Sequence, residues 1–284
     1  MKTVILGAQG QLGCDLQQTL QEWDLYPFSH QDLDICDRRR VEKEFSRIDP
    51  DLVINAAAYT AVDECETEVE KAFNINAFAA RHLAIICSRL DCKLVHFSTN
   101  YVFDGRKETP YTEDDLPNPL NVYGASKLTG EYFTGNICPD HLIIRTSGLF
   151  AAASLESKRD NFVETMIQHA SGGKTLQVVD DQVLSPTYGK DLARAVKELV
   201  LGNAQGLYHI TNQEHCSWFE FAKEIFRQIE INPPMVRITT EEHGADAPRP
   251  AYSILSTQKF LSKTGWSLPS WQSGLTSYLE ERGP

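Results

Sequence analysis

Residues 4–13 have the sequence Val4-Ile5-Leu6-Gly7-Ala8-Gln9-Gly10-Gln11-Leu12-Gly13. The apolar run predicts a buried strand, and the glycines at every third position predict a tight turn that opens a helix. Glycines at such a turn let the backbone approach a pyrophosphate closely, and a helix N-terminus favours the phosphate charge. The segment therefore predicts a dinucleotide-binding turn at Gly7, Gly10, Gln11, Leu12 and Gly13.

Strand-like and helix-like segments alternate downstream of this turn. We expect strands at Thr3–Gly7, Leu25–Phe28, Leu52–Ala56, Lys93–Ser98 and His141–Arg145, and helices at Gln11–Trp23, Arg38–Ile48 and Val69–Leu90. Short apolar strands that alternate with helices predict βαβ units and a parallel sheet covered on both faces. The fold class expected is α/β, a doubly wound parallel sheet.

The alternation becomes less regular in the second half of the chain. Helices are expected near Asn161–Ser171, Gly189–Leu201 and Ser217–Ile229, and strands at Leu176–Val179, Leu207–Ile210 and Met235–Ile238. We interpret residues 1–150, with parts of 175–215, as the dinucleotide-binding domain. Residues 151–284 are expected to form mainly a smaller substrate-binding lobe that interleaves with the sheet.

Composition narrows the class of protein. The 284 residues carry a formal charge of −12, which argues against a nucleic-acid partner, and the one basic run, Arg38–Arg40, is expected to be solvated. The chain has no long apolar run and no leader before its first strand, so we expect a cytoplasmic protein without a membrane partner. Its seven Cys form no C-x-x-C pair, which disfavours disulfides and a zinc site.

Tyr123-Gly124-Ala125-Ser126-Lys127 contains a Tyr and a Lys that project from one face of a helix. An ammonium there can lower the pKa of the phenol and hold a cofactor ribose, so that the Tyr exchanges a proton with a carbonyl or an alcohol. The pair is common by chance and usually marks a solvated helix face. Here it follows the glycine turn, two strand ends at 55–58 and 98–99, and a turn-rich loop at 103–121, which together favour a catalytic pair.

The end of the second strand bears on the choice of cofactor. Ser29-His30-Gln31 stand there, with no acid before Asp32 to repel a 2′-phosphate. No Arg is evident at this position, so we expect NADP(H) to bind at least as tightly as NAD(H), by less than about tenfold. Asp34 and Ile35 either flank the adenine or form a turn before the next helix.

Several motifs together resemble the extended short-chain dehydrogenase/reductases, and more narrowly the dTDP-4-dehydrorhamnose reductase family, which makes dTDP-L-rhamnose. The motifs extend nearly from end to end: Gly7–Gly13, Asn55–Asp63, Phe97–Gly105, Pro119–Gly124, Arg145–Ser147, Asp181-Gln182 with Pro186-Thr187, and Arg249-Pro250-x-x-Ser253-x-Leu255. The resemblance implies a Rossmann-type fold, NADP(H) or NAD(H) as cofactor and a nucleotide-sugar substrate. We expect a monomer or a weak homodimer.

The resemblance also implies roles for individual residues. Thr99, Tyr123 and Lys127 would be catalytic, with Tyr123 protonating the C4 oxygen of a 4-keto sugar and Thr99 hydrogen-bonding that oxygen. The cofactor would lie against Ala56, Ala57, Ala58, Asp34, Ile35, Tyr123 and Lys127. The substrate would contact Thr60, Val62, Thr99, Tyr101, Tyr123 and Arg249, the last as the cation for its pyrophosphate.

Three positions depart from the family pattern. Asn100 stands where the family usually has Asp, and no consequence could be assigned to this change. Gly148 stands where the family typically has a Trp against the substrate, so we expect a wider sugar subsite that a Gly148→Trp substitution would fill, unless a neighbour such as Phe150 or a loop residue occupies the space. Some bacterial members dimerise through Mg²⁺; Asp15 could match one ligand, but Lys190 aligns with another, and no metal is expected.

Two alternatives to this reductase stay open. The fold also resembles the regulatory β subunit of methionine adenosyltransferase, a non-catalytic protein, although the intact catalytic trio favours an enzyme. A reductase or epimerase of another nucleotide sugar would share the trio and differ only in the substrate pocket.

Overall fold

The computed structural model describes residues 1–151 and 161–282, so part of the predicted lobe, 152–160 and 283–284, lies outside the described residues. The strands are β1 (Lys2–Leu6), β2 (Asp24–Phe28), β3 (Leu52–Asn55), β4 (Lys93–Thr99), β5 (His141–Thr146), β6 (Leu149–Phe150), β7 (Leu176–Val179), β8 (Val183–Leu184), β9 (Thr187–Tyr188), β10 (Gly206–His209), β11 (Cys216–Ser217) and β12 (Met235–Ile238). The α-helices are α1 (Gln11–Thr19), α2 (Arg38–Ile48), α3 (Val62–Thr67), α4 (Val69–Phe73), α5 (Ala80–Leu90), α6 (Val122–Ile137), α7 (Phe162–Ala170), α8 (Gly189–Leu201), α9 (Trp218–Gln228), α10 (Thr240–His243), α11 (Gln258–Thr264) and α12 (Trp271–Arg282).

The central sheet has six parallel strands in the order β10-β5-β4-β3-β1-β2. The chain moves outward from β1 to β2 and then returns to β3 on the other side of β1. This reversal creates a crevice at the carboxyl ends of β1 and β3, where doubly wound sheets bind ligands. The predicted fold class is confirmed.

Helices cover both faces of the sheet. On one face, Leu16 of α1 and Leu192 of α8 are buried against Ile5 of β1. On the other face, Val41 of α2 and Leu83 of α5 join Val4 in a second core cluster. Strands buried on both faces consist of apolar residues without alternation, which is why the strands of the sheet appear in the sequence as short continuous runs.

A third core cluster lies in the second half of the chain and is rich in aromatic side chains. Phe150, Phe221, Trp271 and Tyr278 are buried in it, and Phe150 packs against both Phe221 and Tyr278. The helix α9, which borders this cluster, begins with the predicted capping box of Ser217 and Glu220. The strands β7 and β12 form a separate parallel pair.

Two regions differ from the sequence prediction. The expected helix Val69–Leu90 is continuous, but residues 74–79 form a π-helical turn between α4 and α5. The predicted surface loop 103–121 is only partly superficial, because Phe103 and Tyr111 stack at 4.1 Å and are buried with Leu255. Among the described residues, no helix has the length and apolar character needed to cross a membrane.

Candidate active site

The glycine turn forms the tight structure that its sequence predicts. Gly7 has a φ of +76°, and a Cβ there would lie 2.8 Å from the backbone nitrogen of Ala57. A Cβ at Gly13 would lie 2.2 Å from the carbonyl oxygen of Gly7. Gly10 caps α1 without a side-chain hydrogen bond, so the first N–H groups of the helix can bind an anion. These features fit a bound pyrophosphate.

The other residues of the turn are also placed. Leu12 is buried in the core, whereas the Gln11 side chain accepts a hydrogen bond from the backbone nitrogen of Ala151 at 3.1 Å. Gln11 thus links the turn to the strand end at β6, and its backbone remains at the start of α1.

The carboxyl end of β3 faces this turn. Ala56, Ala57 and Ala58 are partly buried there. The Asn55 side chain accepts from the backbone nitrogen of Ala57 at 3.2 Å, and its amide bonds the buried ring of His96 on β4 at 3.2 Å. A small-residue wall next to the turn is what close approach of a cofactor requires.

The helix α6 brings Tyr123 and Lys127 to the same edge of the sheet. Asn121 caps the helix by accepting from the backbone nitrogen of Gly124 at 2.8 Å. Gly124 is needed because a Cβ there would lie 2.2 Å from the carbonyl oxygen of Tyr101. The glycine in the Tyr-x-x-x-Lys motif therefore lets α6 pack tightly against the turn that follows β4.

Lys127 and Tyr123 have the environment of an acid/base pair. The buried Lys127 donates from Nζ to the carbonyl of Phe97 at 2.5 Å, and burial lowers its pKa to about 8. Burial raises the pKa of Tyr123 and outweighs a hydrogen bond with Thr99 that lowers it, which is contrary to the lowered phenol pKa expected from Lys127. The predicted trio of Thr99, Tyr123 and Lys127 thus converges at one place.

A residue not singled out from the sequence holds this arrangement together. Asn76, in the π-helical turn, accepts from the backbone nitrogen of Tyr59 at 2.9 Å and donates to the Tyr59 carbonyl at 3.0 Å. It also donates to Ser126 on α6 at 3.0 Å. π-helical turns occur often at functional sites, but no local sequence signal marks them.

Of the other predicted substrate residues, Tyr101 contacts Tyr123. The Tyr101 ring meets the Tyr123 ring edge-on at 5.8 Å. Arg249 is half-buried and forms a bidentate ion pair with Asp63 on α3, at 2.7 and 3.0 Å. Thr60 is exposed and Val62 begins α3. The cation expected to hold a pyrophosphate is therefore already paired with a carboxylate, and its role toward the substrate stays a prediction.

The region after β2 corrects the expectation that no Arg stands near this strand end. Arg40 of α2 is exposed, as expected, but it donates from Nη2 to the carbonyl of Asp32 at 2.7 Å. The Asp32 carboxylate in turn accepts from the hydroxyl of Ser29, directly after β2, at 2.6 Å. Sequence reasoning missed Arg40 because it comes from the next helix rather than from the strand.

The residues expected to flank the adenine lie just beyond. Asp34 is partly exposed and accepts from the backbone nitrogen of Cys36 at 2.9 Å. Ile35 is 5% exposed and belongs to the core under α2 and α5. Their contact with a cofactor stays a prediction.

The expectation of open space next to Gly148 is wrong. A Cβ at this position would lie 2.6 Å from Cδ1 of Leu184 and 3.2 Å from the Cα of Pro186, and Gly148 has a φ of +52°. Leu184 thus occupies the space next to Gly148. The backbone conformation is one that a side chain at this position would strain.

The residues near Asp15 do not fit the Mg²⁺ site that the family resemblance implies. Asp15 is fully buried, and neither carboxylate oxygen has a hydrogen-bond partner. The Lys190 ammonium lies near it and is paired with Glu281 of α12. Within residues 1–151 and 161–282, no cluster of three His, Cys, Asp or Glu side chains could hold a metal ion. A lysine therefore provides the positive charge at this place.

The fold and the site together define a class of protein. A doubly wound parallel sheet, a glycine turn at its crevice and a buried Tyr/Lys pair on the adjoining helix are the features of a short-chain dehydrogenase/reductase. The family model described as the RmlD substrate binding domain matches residues 1–283. The chain belongs to this family, and the resemblance seen in the sequence is confirmed.

Similar proteins agree with this assignment. The spore coat polysaccharide biosynthesis protein SpsK of Bacillus subtilis is 40% identical, over 99% of this chain and 98% of its own length. A dTDP-4-dehydrorhamnose reductase of Aggregatibacter actinomycetemcomitans is 35% identical, over 96% of this chain and 97% of its own length. The crystal structure of a dTDP-4-dehydrorhamnose reductase from Bacillus anthracis in complex with NADP has 40% identity and a TM-score of 0.93, and 99% of each chain is covered.

Proposed function

We propose that this protein reduces the C4 keto group of dTDP-4-dehydro-L-rhamnose with NAD(P)H and so forms dTDP-L-rhamnose. The observation that carries the proposal is the convergence of Thr99, Tyr123 and Lys127 at the sheet edge that also holds the glycine turn. Relatives named dTDP-4-dehydrorhamnose reductase support this substrate.

The residues of the site divide the chemistry between them. When bound, the nicotinamide supplies the hydride, which is chemistry that belongs to the cofactor. Tyr123 donates its proton to the C4 oxygen as the negative charge develops there. The Lys127 ammonium stabilises the tyrosinate that remains and binds the ribose, and Thr99 donates to the reacting oxygen or to the phenolate.

Surrounding residues prepare the site for this chemistry. The Phe97 carbonyl accepts from the Lys127 ammonium at 2.5 Å and so fixes its position. Asn76 fixes α6 through Ser126 and fixes the strand end through Tyr59. Because burial lowers the pKa of Lys127 to about 8, its charge is retained at neutral pH but is sensitive to alkaline conditions.

The cofactor turn accepts either nicotinamide dinucleotide in principle. The NADP complex of the Bacillus anthracis relative supports a dinucleotide at this turn. Arg40 at the end of β2 favours NADP(H), since a guanidinium can bind a 2′-phosphate in addition to the Asp32 carbonyl.

A panel of sugar nucleotides tests the substrate. Purified protein with NADPH is mixed with dTDP- and UDP-linked 4-keto-6-deoxy sugars, and the loss of nicotinamide absorbance is followed. We expect the highest kcat/KM with dTDP-4-dehydro-L-rhamnose, and a loss of about 10²–10⁴-fold in kcat for Tyr123→Phe with NADPH affinity retained. Tyr132→Phe, at an exposed tyrosine of the same helix, is the control.

The outcomes separate the alternatives. A higher kcat/KM with a UDP-linked sugar would contradict the proposed substrate and leave a reductase of another nucleotide sugar. Cofactor binding without turnover of any sugar would favour the non-catalytic subunit.

A further inference from the structure

Asn100 follows Thr99 directly and begins the short 3₁₀ turn at the end of β4. It is 4% exposed, and both ends of its side-chain amide are engaged. Its Oδ1 accepts from the Thr99 hydroxyl at 3.2 Å, and its Nδ2 donates to the Ser253 hydroxyl at 2.7 Å. The residue that departs from the family pattern is thus in contact with a member of the catalytic trio.

Ser253 determines which way the amide of Asn100 faces. The Ser253 hydroxyl donates to the carbonyl of Val183 at 3.4 Å, so its lone pairs remain to accept from Asn100. A hydroxyl has one proton to donate, and an amide NH₂ can only donate. The Nδ2 of Asn100 therefore faces Ser253, and its Oδ1 faces Thr99.

The Thr99 hydroxyl is constrained from two sides. It accepts from the backbone nitrogen of Tyr101 at 3.2 Å and donates to Asn100. A hydrogen bond with Thr99 also lowers the pKa of Tyr123, which means that the Thr99 hydroxyl can donate to the phenolic oxygen. The one Thr99 proton therefore has two acceptors within reach, the Oδ1 of Asn100 and the oxygen of Tyr123.

We propose that Asn100 is a positioning residue that holds the Thr99 hydroxyl proton in the resting site and releases it to the reacting centre during reduction. This inference takes the proposed reductase function as its basis. In the resting site, Thr99 donates to Asn100 Oδ1. When Tyr123 transfers its proton to the C4 oxygen, the Thr99 O–H turns toward the new tyrosinate, and Thr99 keeps its own proton throughout.

The neutrality of Asn100 is central to this role. A hydrogen bond to a carboxylate is roughly twice as strong as one to a neutral amide oxygen, so an Asp would release the Thr99 proton less readily. The negative charge of an Asp would also disfavour the nearby tyrosinate. Asn avoids both costs while it supplies an acceptor at the same place.

A structural alternative makes a different prediction. Asn100 and Ser253 also connect β4 to β8, and an Asn100 that served only as such a link would affect folding and substrate position regardless of the Thr99 hydroxyl. A double-mutant cycle between residues 99 and 100 distinguishes the two roles.

The cycle compares Asn100→Leu, Thr99→Val and the double variant, with dTDP-4-dehydro-L-rhamnose and NADPH as substrates. We expect Asn100→Leu to lower kcat about 10- to 100-fold with KM and NADPH affinity changed less than about threefold. In the Thr99→Val background, Asn100→Leu should lower kcat less than about threefold, because the hydroxyl that Asn100 orients is absent. Equal losses in both backgrounds would overturn the proposal.

Asn100→Asp provides the matched variant, since it keeps an oxygen acceptor of the same size. We expect it to lower kcat by about two- to tenfold with KM nearly unchanged, because a carboxylate holds the Thr99 proton more strongly than a neutral amide oxygen does. In the Thr99→Val background the same substitution should lower kcat less, and an equal loss of kcat in both backgrounds would count against the role. Thermal unfolding of each variant shows that the losses do not come from misfolding, and a wild-type protein inactive on this sugar would instead contradict the proposed function.

Discussion

At the scale of single residues, Lys127 combines two functions that depend on its charge. Burial lowers its pKa to about 8, so the ammonium is retained below pH 8 and is lost as the pH rises above it. We expect the dissociation constant for NADPH to be constant from pH 6 to 7.5 and to rise above pH 8. Lys127→Met should bind NADPH weakly and without this dependence. The same rise in Lys127→Met would show that another group titrates.

Arg40 gives a prediction about cofactor preference. Arg40→Ala should raise the dissociation constant for NADP(H) about tenfold, since a charged hydrogen bond to the 2′-phosphate is lost, and should leave NAD(H) unchanged. Calorimetric titration with both cofactors measures this difference. Arg39→Ala, at the exposed neighbouring position, is the control. An equal loss for NAD(H) and NADP(H) would place Arg40 outside the phosphate site.

Gly148 shows where a family pattern misleads at the residue scale. The sequence suggested that a Trp would fill empty space, but Leu184 lies within 2.6 Å of the Cβ that a side chain would add. We now expect Gly148→Ala to lower the free energy of unfolding by about 2–4 kcal/mol, because it combines backbone strain with overpacking. Gly244 has a similar φ of +64°, but nothing lies within 4 Å of a Cβ added there. Gly244→Ala should therefore lower the free energy of unfolding by only about 1–2 kcal/mol. If chemical denaturation gave the same loss of unfolding free energy for both variants, the Leu184 side chain would move aside at little cost.

At the scale of elements, the pattern of the sequence predicted the strands of the sheet and most helices. The observed α8 has the predicted bounds, Gly189–Leu201, because its amphipathic pattern is continuous. The π-helical turn at 74–79 was not predicted, and within it Asn76 forms tertiary hydrogen bonds with Tyr59 and Ser126. Local periodicity contains no information on such a contact, and the same holds for the link from Asn100 to Ser253.

The ion pair between α6 and β5 offers a test at this scale. Glu131 on α6 and Arg145 on β5 form two hydrogen bonds of 2.6 and 2.8 Å, and their side chains are 7% and 3% exposed. Glu131→Gln should lower the free energy of unfolding by about 3–5 kcal/mol, because it leaves a buried guanidinium without its counter-charge. Chemical denaturation measures this loss.

The pair Glu224 and Arg227 on α9 is the matched control, with hydrogen bonds of 2.6 and 2.7 Å but an Arg side chain that is 69% exposed. Glu224→Gln should lower the free energy of unfolding by less than about 1 kcal/mol. If the two substitutions had the same effect, burial would not determine the strength of these pairs.

At the scale of the whole molecule, the order of the strands places the candidate site at the carboxyl edge of the sheet. The carboxyl ends of β1, β3 and β4 lie side by side, with Leu6 opposite Asn55 and Asn55 opposite His96. Motifs that are about 50 and 90 residues apart from the glycine turn thereby meet at one edge. Their order along the chain predicted this, whereas the ion pair of Arg249 with Asp63 joins segments 186 residues apart and had no signal in the sequence.

The three helices α1, α8 and α12 meet at Asp15, Lys190 and Glu281, which brings together the beginning, the middle and the end of the chain. Burial, and next the charge of Glu281, raise the pKa of Asp15 to about 7, whereas Lys190 lowers it. Because the folded protein then binds more protons than the unfolded chain between about pH 4 and 7, the contribution of Asp15 to stability decreases as the pH rises through this range. Lys190 limits that decrease.

The charge of Lys190 can be removed to test whether it stands in place of a metal ion. Lys190→Met should lower the free energy of unfolding by roughly 1–2 kcal/mol at pH 8 and by less at pH 5, where Asp15 is protonated. The control is Lys197→Met, also on α8, which removes the ion-pair partner of Glu22. It should lower the free energy of unfolding by less than about 1 kcal/mol at both pH values. Thermal unfolding of the wild type should be unchanged by EDTA or Mg²⁺, because an ammonium needs no metal to balance Asp15 and Glu281. Stabilisation of the wild type by Mg²⁺, or equal stability of Lys190→Met and wild type at pH 8, would show that the lysine does not have this role.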